Sequence, residues 1–367
     1  MLFRGAQRSV PPVGKQAQVR FLRFSCFIRY AAVVTHCPDT SNFSAPSSDT
    51  SAQRTLYTRS LFLAFSCYIL WGFFPLFFRL LHPAQPLEVI VHRAVWGLFF
   101  CLVALTLMHH LHHLREALRD RGTVLRLAAA GFLIVINWTV YVYAVMSGHT
   151  IDAALGYFIN PLMTVALGLC VLHERITRLQ MISLSLGIIA VVILIVGLGR
   201  LPWIALALPL SFSLYSLVKK DVAHKVGPVE GMAIETAIVS PFLLIYLAYL
   251  AWNHSTSFHV ITAGNSDVAW GLHLALLISA GAITMIPLIM YATASQGLPL
   301  GTIGFIQYVS PVMQLVLGVF LFHEEMEPMR WVATGFIWLA LIFLTFDLAI
   351  ATRRARKLIC KQPTATP

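Results

Sequence analysis

The chain has 367 residues, 58% of them hydrophobic and only 11% charged, with a mean hydropathy of +0.77. Soluble domains carry about 25% charged residues, so a chain this poor in charge cannot clothe a water-facing surface, and a soluble enzyme or regulator is excluded. The formal charge of +11 is what cytoplasmic loops and tails of membrane proteins accumulate; no aromatic-rich basic surface exists outside the apolar runs, so nucleic acid is not an expected partner.

Residues 1–55 stand apart, Arg-rich at first and then Ser/Thr-rich. Their apolar stretch, Phe21 to Cys37, is too short to span and is interrupted by Arg23 and Arg29, and it lacks the apolar core and cleavage site of a signal peptide. A disordered basic and polar extension is expected there. Ten apolar runs then follow at 61–82, 87–108, 124–146, 153–172, 179–198, 201–219, 231–252, 268–294, 300–322 and 330–350. Each is close to the roughly 20 residues needed to cross a hydrocarbon core about 30 Å thick. Long unbroken runs are the mark of spanning helices; membrane β-barrels use short alternating segments. The loops 109–122 and 253–267 are longer and polar. Lys and Arg set the orientation: Arg115, Arg119, Arg121, Arg175, Arg178, Lys219, Lys220, Lys225 and the tail Arg353, Arg354, Arg356, Lys357 fall on one side, against Arg79, Arg200 and Arg330 on the other. Both termini are therefore expected in the cytoplasm. The six cysteines form no C-x-x-C pair and imply neither a disulfide framework nor a zinc site.

The sequence also repeats itself. "FINPLMTVALGLCVLHE" (158–174) returns as "YVSPVMQLVLGVFLFHE" (308–324), so that Pro161, Met163, Leu167, Gly168, His173 and Glu174 recur as Pro311, Met313, Leu317, Gly318, His323 and Glu324, each 150 residues on. These copies fall on the fourth and ninth runs. Each half thus holds five spans, an odd number, and the second must enter the membrane upside down relative to the first, the inverted repeat common in secondary transporters. The expected architecture is all-α and integral to the membrane, ten transmembrane helices as a 5+5 inverted repeat. Its parts are the extension 1–55, a first repeat 56–200, a second repeat 201–352 and a basic cytoplasmic tail 353–367.

The strings "YILWGFFPLFFRL" (68–80), "EVIVHRAVWGLFF" (88–100), "LGYFINPLMTVALG" (155–168), "GMAIETAIVSP" (231–241) and "IGFIQYVSPVMQLVLGV" (303–319) resemble the EamA-type transporters of the drug/metabolite transporter superfamily. Within it they are most similar to the RarD family of bacterial inner-membrane proteins, whose family name invokes chloramphenicol sensitivity. The resemblance covers roughly 58–355. It implies a ten-helix inverted-repeat exporter of metabolites or drugs in the cell inner membrane.

Charges within a bilayer are costly and mark function or a partner. Arg93, beside His92 on the second run, either recognises an anionic or carbonyl-bearing substrate or pairs with Glu88 or Asp152. Glu235 on the seventh run is either a proton-coupling carboxylate or the partner of Lys219 or Lys220. On the first run, Trp71 is placed to stack on a flat substrate, while Gly72 and Pro75 can break the helix where it lines a cavity. The alternative there is a packing kink with Arg79 snorkelling to the interface. Tyr157, Asn160 and Pro161 on the fourth run mirror Gln307, Ser310 and Pro311 on the ninth. Polar groups beside a helix-breaking proline in both halves suit a midplane cavity between the repeats; interhelical hydrogen bonding is the alternative.

"HHLHH" (109–113) is expected to be a solvated loop, so no metal or cofactor is assigned. His323-Glu324-Glu325 is a helix end. No H-E-x-x-H, G-x-S-x-G or phosphate-binding loop is present, which argues against hydrolases and ATP-driven pumps. The expected function is secondary transport of a small-molecule substrate across the lipid bilayer by alternating access, with the proton as coupling ion. The alternative is a non-transporting scaffold or regulatory subunit, with a packed interior and no polar cavity.

Overall fold

A computed structural model describes residues 49–359, apart from 172, 174, 175, 221, 223, 224 and 299. Every regular element among them is helical. The helices are α1 (Asp49–Gly72), α2 (Phe74–Leu80), α3 (Pro86–Leu107), α4 (Leu111–Arg119), α5 (Arg121–Met146), α6 (Thr150–Cys170) and α7 (Arg178–Leu198) in the first half. The second half holds α8 (Trp203–Lys220), α9 (Pro228–Trp252), α10 (Ser257–Thr262), α11 (Trp270–Gly297), α12 (Leu300–Ile306), α13 (Val309–Val316) and α14 (Pro328–Ile359). A π-helical turn, Leu317–Leu321, continues α13. Among the described residues eight spans are long and apolar enough to cross a membrane; α1 and α2 form a further one, bent by 40°, and α8 is a shorter apolar helix. Together they occupy the ten expected runs.

Helix boundaries follow local chemistry. Pro86 opens α3 and Pro228 opens α9, both in the first turn, where a missing N–H costs nothing. The hydroxyl of Thr177 and the side chain of Gln180 cap α7 reciprocally, satisfying two orphan donors. Histidines stop four helices. His109, His173, His254 and His323 all have positive φ, between 49° and 58°, a conformation in which histidine is enriched among non-glycine residues. His173 and His323 are the repeat counterparts. After His109 and His254 the hydrogen bonds are alike: His110 N–H to the Leu105 carbonyl and Ser255 N–H to the Leu250 carbonyl, each 2.9 Å.

The packing is two-fold as well. Helix α6 lies on α8 as α13 lies on α1, α5 packs on α8 as α11 does on α1, and α5 meets α9 as α11 meets α3. The pairs α3–α9, α6–α13 and α7–α14 join a helix to its own counterpart. These contacts are unchanged when the halves are exchanged. The short helices α4 and α10 occupy equivalent loops.

The fold differs from expectation at both ends. Residues 1–48 of the expected extension and 360–367 of the tail lie outside the described residues, but α1 already begins at Asp49 and α14 runs to Ile359. Once an apolar span has nucleated a helix, elongation costs little, and Ala, Arg, Lys and Leu in "ATRRARKLI" are good helix formers.

Two glycines, again 150 residues apart, allow the crossings. A Cβ on Gly131 of α5 would lie 2.9 Å from the Glu235 carbonyl oxygen on α9; one on Gly281 of α11 would lie 2.6 Å from Gly97 N on α3. Gly281→Leu is therefore expected to lower the thermal unfolding temperature in detergent, since overpacking costs about 1–3 kcal/mol. Gly335→Leu, on an exposed face with nothing within 4 Å, leaves it in place.

Candidate functional site

Between the halves lies a cavity of about 1200 Å³. Trp71, Arg93, Tyr157, Asn160, Pro161, Glu235, Gln307, Ser310 and Pro311, each singled out in the sequence, all line it. Pro75 does not; it is buried in the first turn of α2, two residues past the bend at Phe73. The cavity reaches the surface at the basic end of the bundle, where His113, Glu116, Asp120 and Lys225 join its wall. There Lys225 Nζ lies 2.8 Å from Asp120 Oδ2, and that contact, with Thr123, holds the Asp120 carboxyl well below the usual carboxylate range.

Arg93 is 5% exposed. Its Nε donates to Thr284 Oγ1 at 2.8 Å, and the guanidinium carbon sits 4.2 Å from the Trp138 ring centroid and 5.4 Å from that of Phe78. Neither carboxylate considered as its partner is one. Glu88 accepts from the backbone N–H and the hydroxyl of Ser257, and Asp152 lies 3.5 Å from Arg330. Among the described residues no carboxylate pairs with Arg93, and its Nη1 has no hydrogen-bond partner. A charge at mid-membrane costs at least about 2.5–3.5 kcal/mol, and a cation–π contact returns about 0.5–2 kcal/mol. The rings and one hydroxyl thus offset only part of the cost.

Glu235 is paired. Lys219 Nζ lies 2.8 Å from its Oε1, and Tyr215 hydroxyl donates to Oε2 at 3.3 Å; the side chain of Lys220 lies outside the described residues. Trp71 joins Tyr68 and Tyr291, with ring centroids 5.2 and 6.2 Å away. Ser213 donates to Asn160 Oδ1 at 3.3 Å, and Gln314 Nε2 donates to Ser310 Oγ and to the Trp71 carbonyl, both at 3.1 Å. Tyr157 packs at a tilt against Tyr141, their ring centroids 5.5 Å apart.

The prolines correct one expectation. Pro161 does not break its helix; α6 runs unbroken from Thr150 to Cys170. A proline removes one hydrogen bond, the one Tyr157 would accept, and its neighbours hold the helix together. In the second copy the interruption lies at Gln307 and Tyr308, between α12 and α13, just ahead of Pro311. Arg79 is a second correction. It does not snorkel; it pairs with Glu324 at 2.9 Å, its guanidinium 3.4 Å from the Phe322 ring centroid. Glu324 also accepts the Ile151 N–H, so α2, α6 and the end of the ninth span are tied together at the end opposite the mouth. The first-copy counterpart, Glu174, lies outside the described residues.

Thr284, Trp138, Tyr141, Tyr291 and Gln314 belong to the site without having been singled out. For Gln314 a signal existed: it stands 150 residues beyond Thr164, whose hydroxyl contacts Ser213 at 3.1 Å, so the polar pair 160/164 returns as 310/314.

The model of the EamA-like transporter family matches residues 58–196 and again 201–346. Protein RarD of Streptomyces exfoliatus is 39% identical over 310 residues, covering 84% of this chain and 95% of its own. Protein RarD of Escherichia coli is 35% identical, covering 82% and 98%, and an uncharacterized transporter of Pseudomonas aeruginosa is 37% identical, covering 81% and 96%. A solved crystal structure aligns with a TM-score of 0.50 at 17% identity over 81% of this chain and 98% of that one, a likeness of fold. A twice-matching family model and full-length relatives at these identities place this multi-pass membrane protein in the EamA-like transporter family, among the RarD proteins.

Proposed function

We propose that the chain is a secondary transporter that exports small metabolites or drugs bearing a carboxylate or another anionic or carbonyl group, by alternating access between its two five-helix halves. The observation that carries this is Arg93, a buried guanidinium on the cavity wall with no carboxylate partner among the described residues. An anionic ligand supplies the missing counter-charge in a planar, bidentate geometry that an arginine fits. Trp71, Tyr68, Tyr141 and Tyr157 offer aromatic faces to the rest of the ligand, and Asn160, Ser310 and Gln307 offer polar contacts. The basic end takes the cytoplasmic side of the inner membrane, which makes the cavity inward-open. The Arg79–Glu324 and Asp152–Arg330 contacts then close the outer side. A scaffold has no use for a cavity of this volume with a buried arginine in its wall.

Reconstituted proteoliposomes are expected to move one class of a mixed panel of small carboxylates and neutral drugs, with saturation. Arg93→Gln should lower the rate for the anionic class by about ten- to a hundredfold, the worth of a charged hydrogen bond, and Arg93→Lys should retain part of it. Rates equal to those of protein-free liposomes, from protein shown to be folded, overturn the reading.

Glu235 with Lys219 is the proposed proton-coupling pair, because protonating the carboxylate breaks a buried charge contact that joins α8 to α9. An imposed pH gradient should accelerate transport, and Glu235→Gln should abolish that acceleration. An unchanged pH profile in the variant removes proton coupling through this residue.

A further inference from the structure

At the cavity mouth, His110 and His113 from one half meet Glu230 from the other. The left-handed turn at His109 ends α3 and makes His110 the residue that starts α4, with His113 in its first turn. A three-residue spacing in a helical turn sets both imidazoles on one side, their ring centroids 5.1 Å apart. Glu230 lies in the first turn of α9, its carboxylate 8% exposed and 3.5 Å from His110 Nδ1. One ligand atom from each of the three residues lies within 4.8 Å of the other two. The neighbouring lysine is engaged elsewhere: Lys225 pairs with Asp120. Among the described residues the carboxylate therefore has His110 as its ion-pair partner.

We infer that His110, His113 and Glu230 form a binding site for a divalent transition-metal ion of the zinc class. Two imidazoles and one carboxylate are the donor set that borderline ions prefer, and three protein ligands leave a fourth position for water. Magnesium and calcium favour all-oxygen sites and are disfavoured here. The half-buried His110 and the exposed His113 leave the site reachable from the solvent at the basic end. A bound ion staples α4 to the start of α9 across the mouth, so that the two halves are held in the open arrangement at that end. The loop expected from "HHLHH" is in part a helix, since His112 and His113 lie in the first turn of α4 and His110 caps it; its histidines are solvent-exposed as expected, apart from the half-buried His110.

The test is equilibrium competition for Zn2+ against a chromophoric chelator, using the full chain purified in detergent with a tag that contains no histidine. One Zn2+ per chain is expected, undisturbed by excess Mg2+. His113→Ala and Glu230→Gln should each weaken it by about tenfold or more, the scale on which even supporting groups act, whereas His112→Ala should not. Thermal unfolding without metal checks each variant's fold; should one fail it, His110→Asn takes its place. No Zn2+ bound to folded protein, equal affinity in all variants, or a loss confined to His112→Ala each overturns the assignment.

Discussion

A guanidinium held in the middle of a hydrocarbon slab has to be solvated by something. Around Arg93 that is one threonine hydroxyl and a ring of aromatic faces. These are enough to hold the side chain in one place and too little to neutralise it. The two acidic residues that were candidate partners are committed to other tasks: Glu88 fastens the start of α10, and Asp152 meets Arg330. The cavity wall around Arg93 thus carries a fixed positive charge with free donor capacity. The polar groups of Asn160, Ser310 and Gln314 and the tyrosines of the wall suit a ligand that completes this arrangement.

The two ends of the bundle differ in how they are closed. At one, Arg79, Glu324, Phe322 and the start of α6 form a compact contact in which a carboxylate accepts both from a guanidinium and from a helix N-terminus, where negative charge is favoured. At the other, the wall opens among His113, Glu116, Asp120 and Lys225. The helix pairs that match when the halves are exchanged are what the proposed alternating access requires, the same contacts redistributed so that the open and closed ends trade places. Such an exchange is how two similar halves generate alternating access without new elements. The glycines at 131 and 281 bring α5 close to α9 and α11 close to α3, two equivalent crossings that join one half to the other.

The span count, the repeat and the family were legible because they rest on long-range averages: apolar runs of fixed length, and identities at a fixed offset. The cavity residues were legible for the same reason, since polar groups beside Pro161 and Pro311 stand out against an apolar background. What was not legible depended on contacts between residues far apart in sequence. Arg79 had the appearance of an interfacial side chain because Glu324 is 245 positions away. The contact of His110 with Glu230 was hidden because Glu230 comes from the other half. Pro161 looked like a break, yet whether a proline bends its helix depends on neighbours, and its copy at Pro311 sits beside an interruption while Pro161 does not. Trp138 and Thr284 carried no signal at all; an aromatic and a hydroxyl in apolar helices are ordinary until an arginine lies against them.

The central claim is a cavity open at the basic end, closed at the other by the Glu324 contacts, and able to exchange the two. Labelling of Ser310→Cys in a cysteine-free background, with a membrane-impermeant thiol reagent added to inside-out or right-side-out vesicles, tests this directly. Ser310 lines the cavity and is replaced almost isosterically. Labelling is expected from the cytoplasmic side alone, with access from the outer side appearing once Glu324→Gln loosens the far end. Labelling from the outer side in the unaltered background, or none from that side after Glu324→Gln, would contradict it.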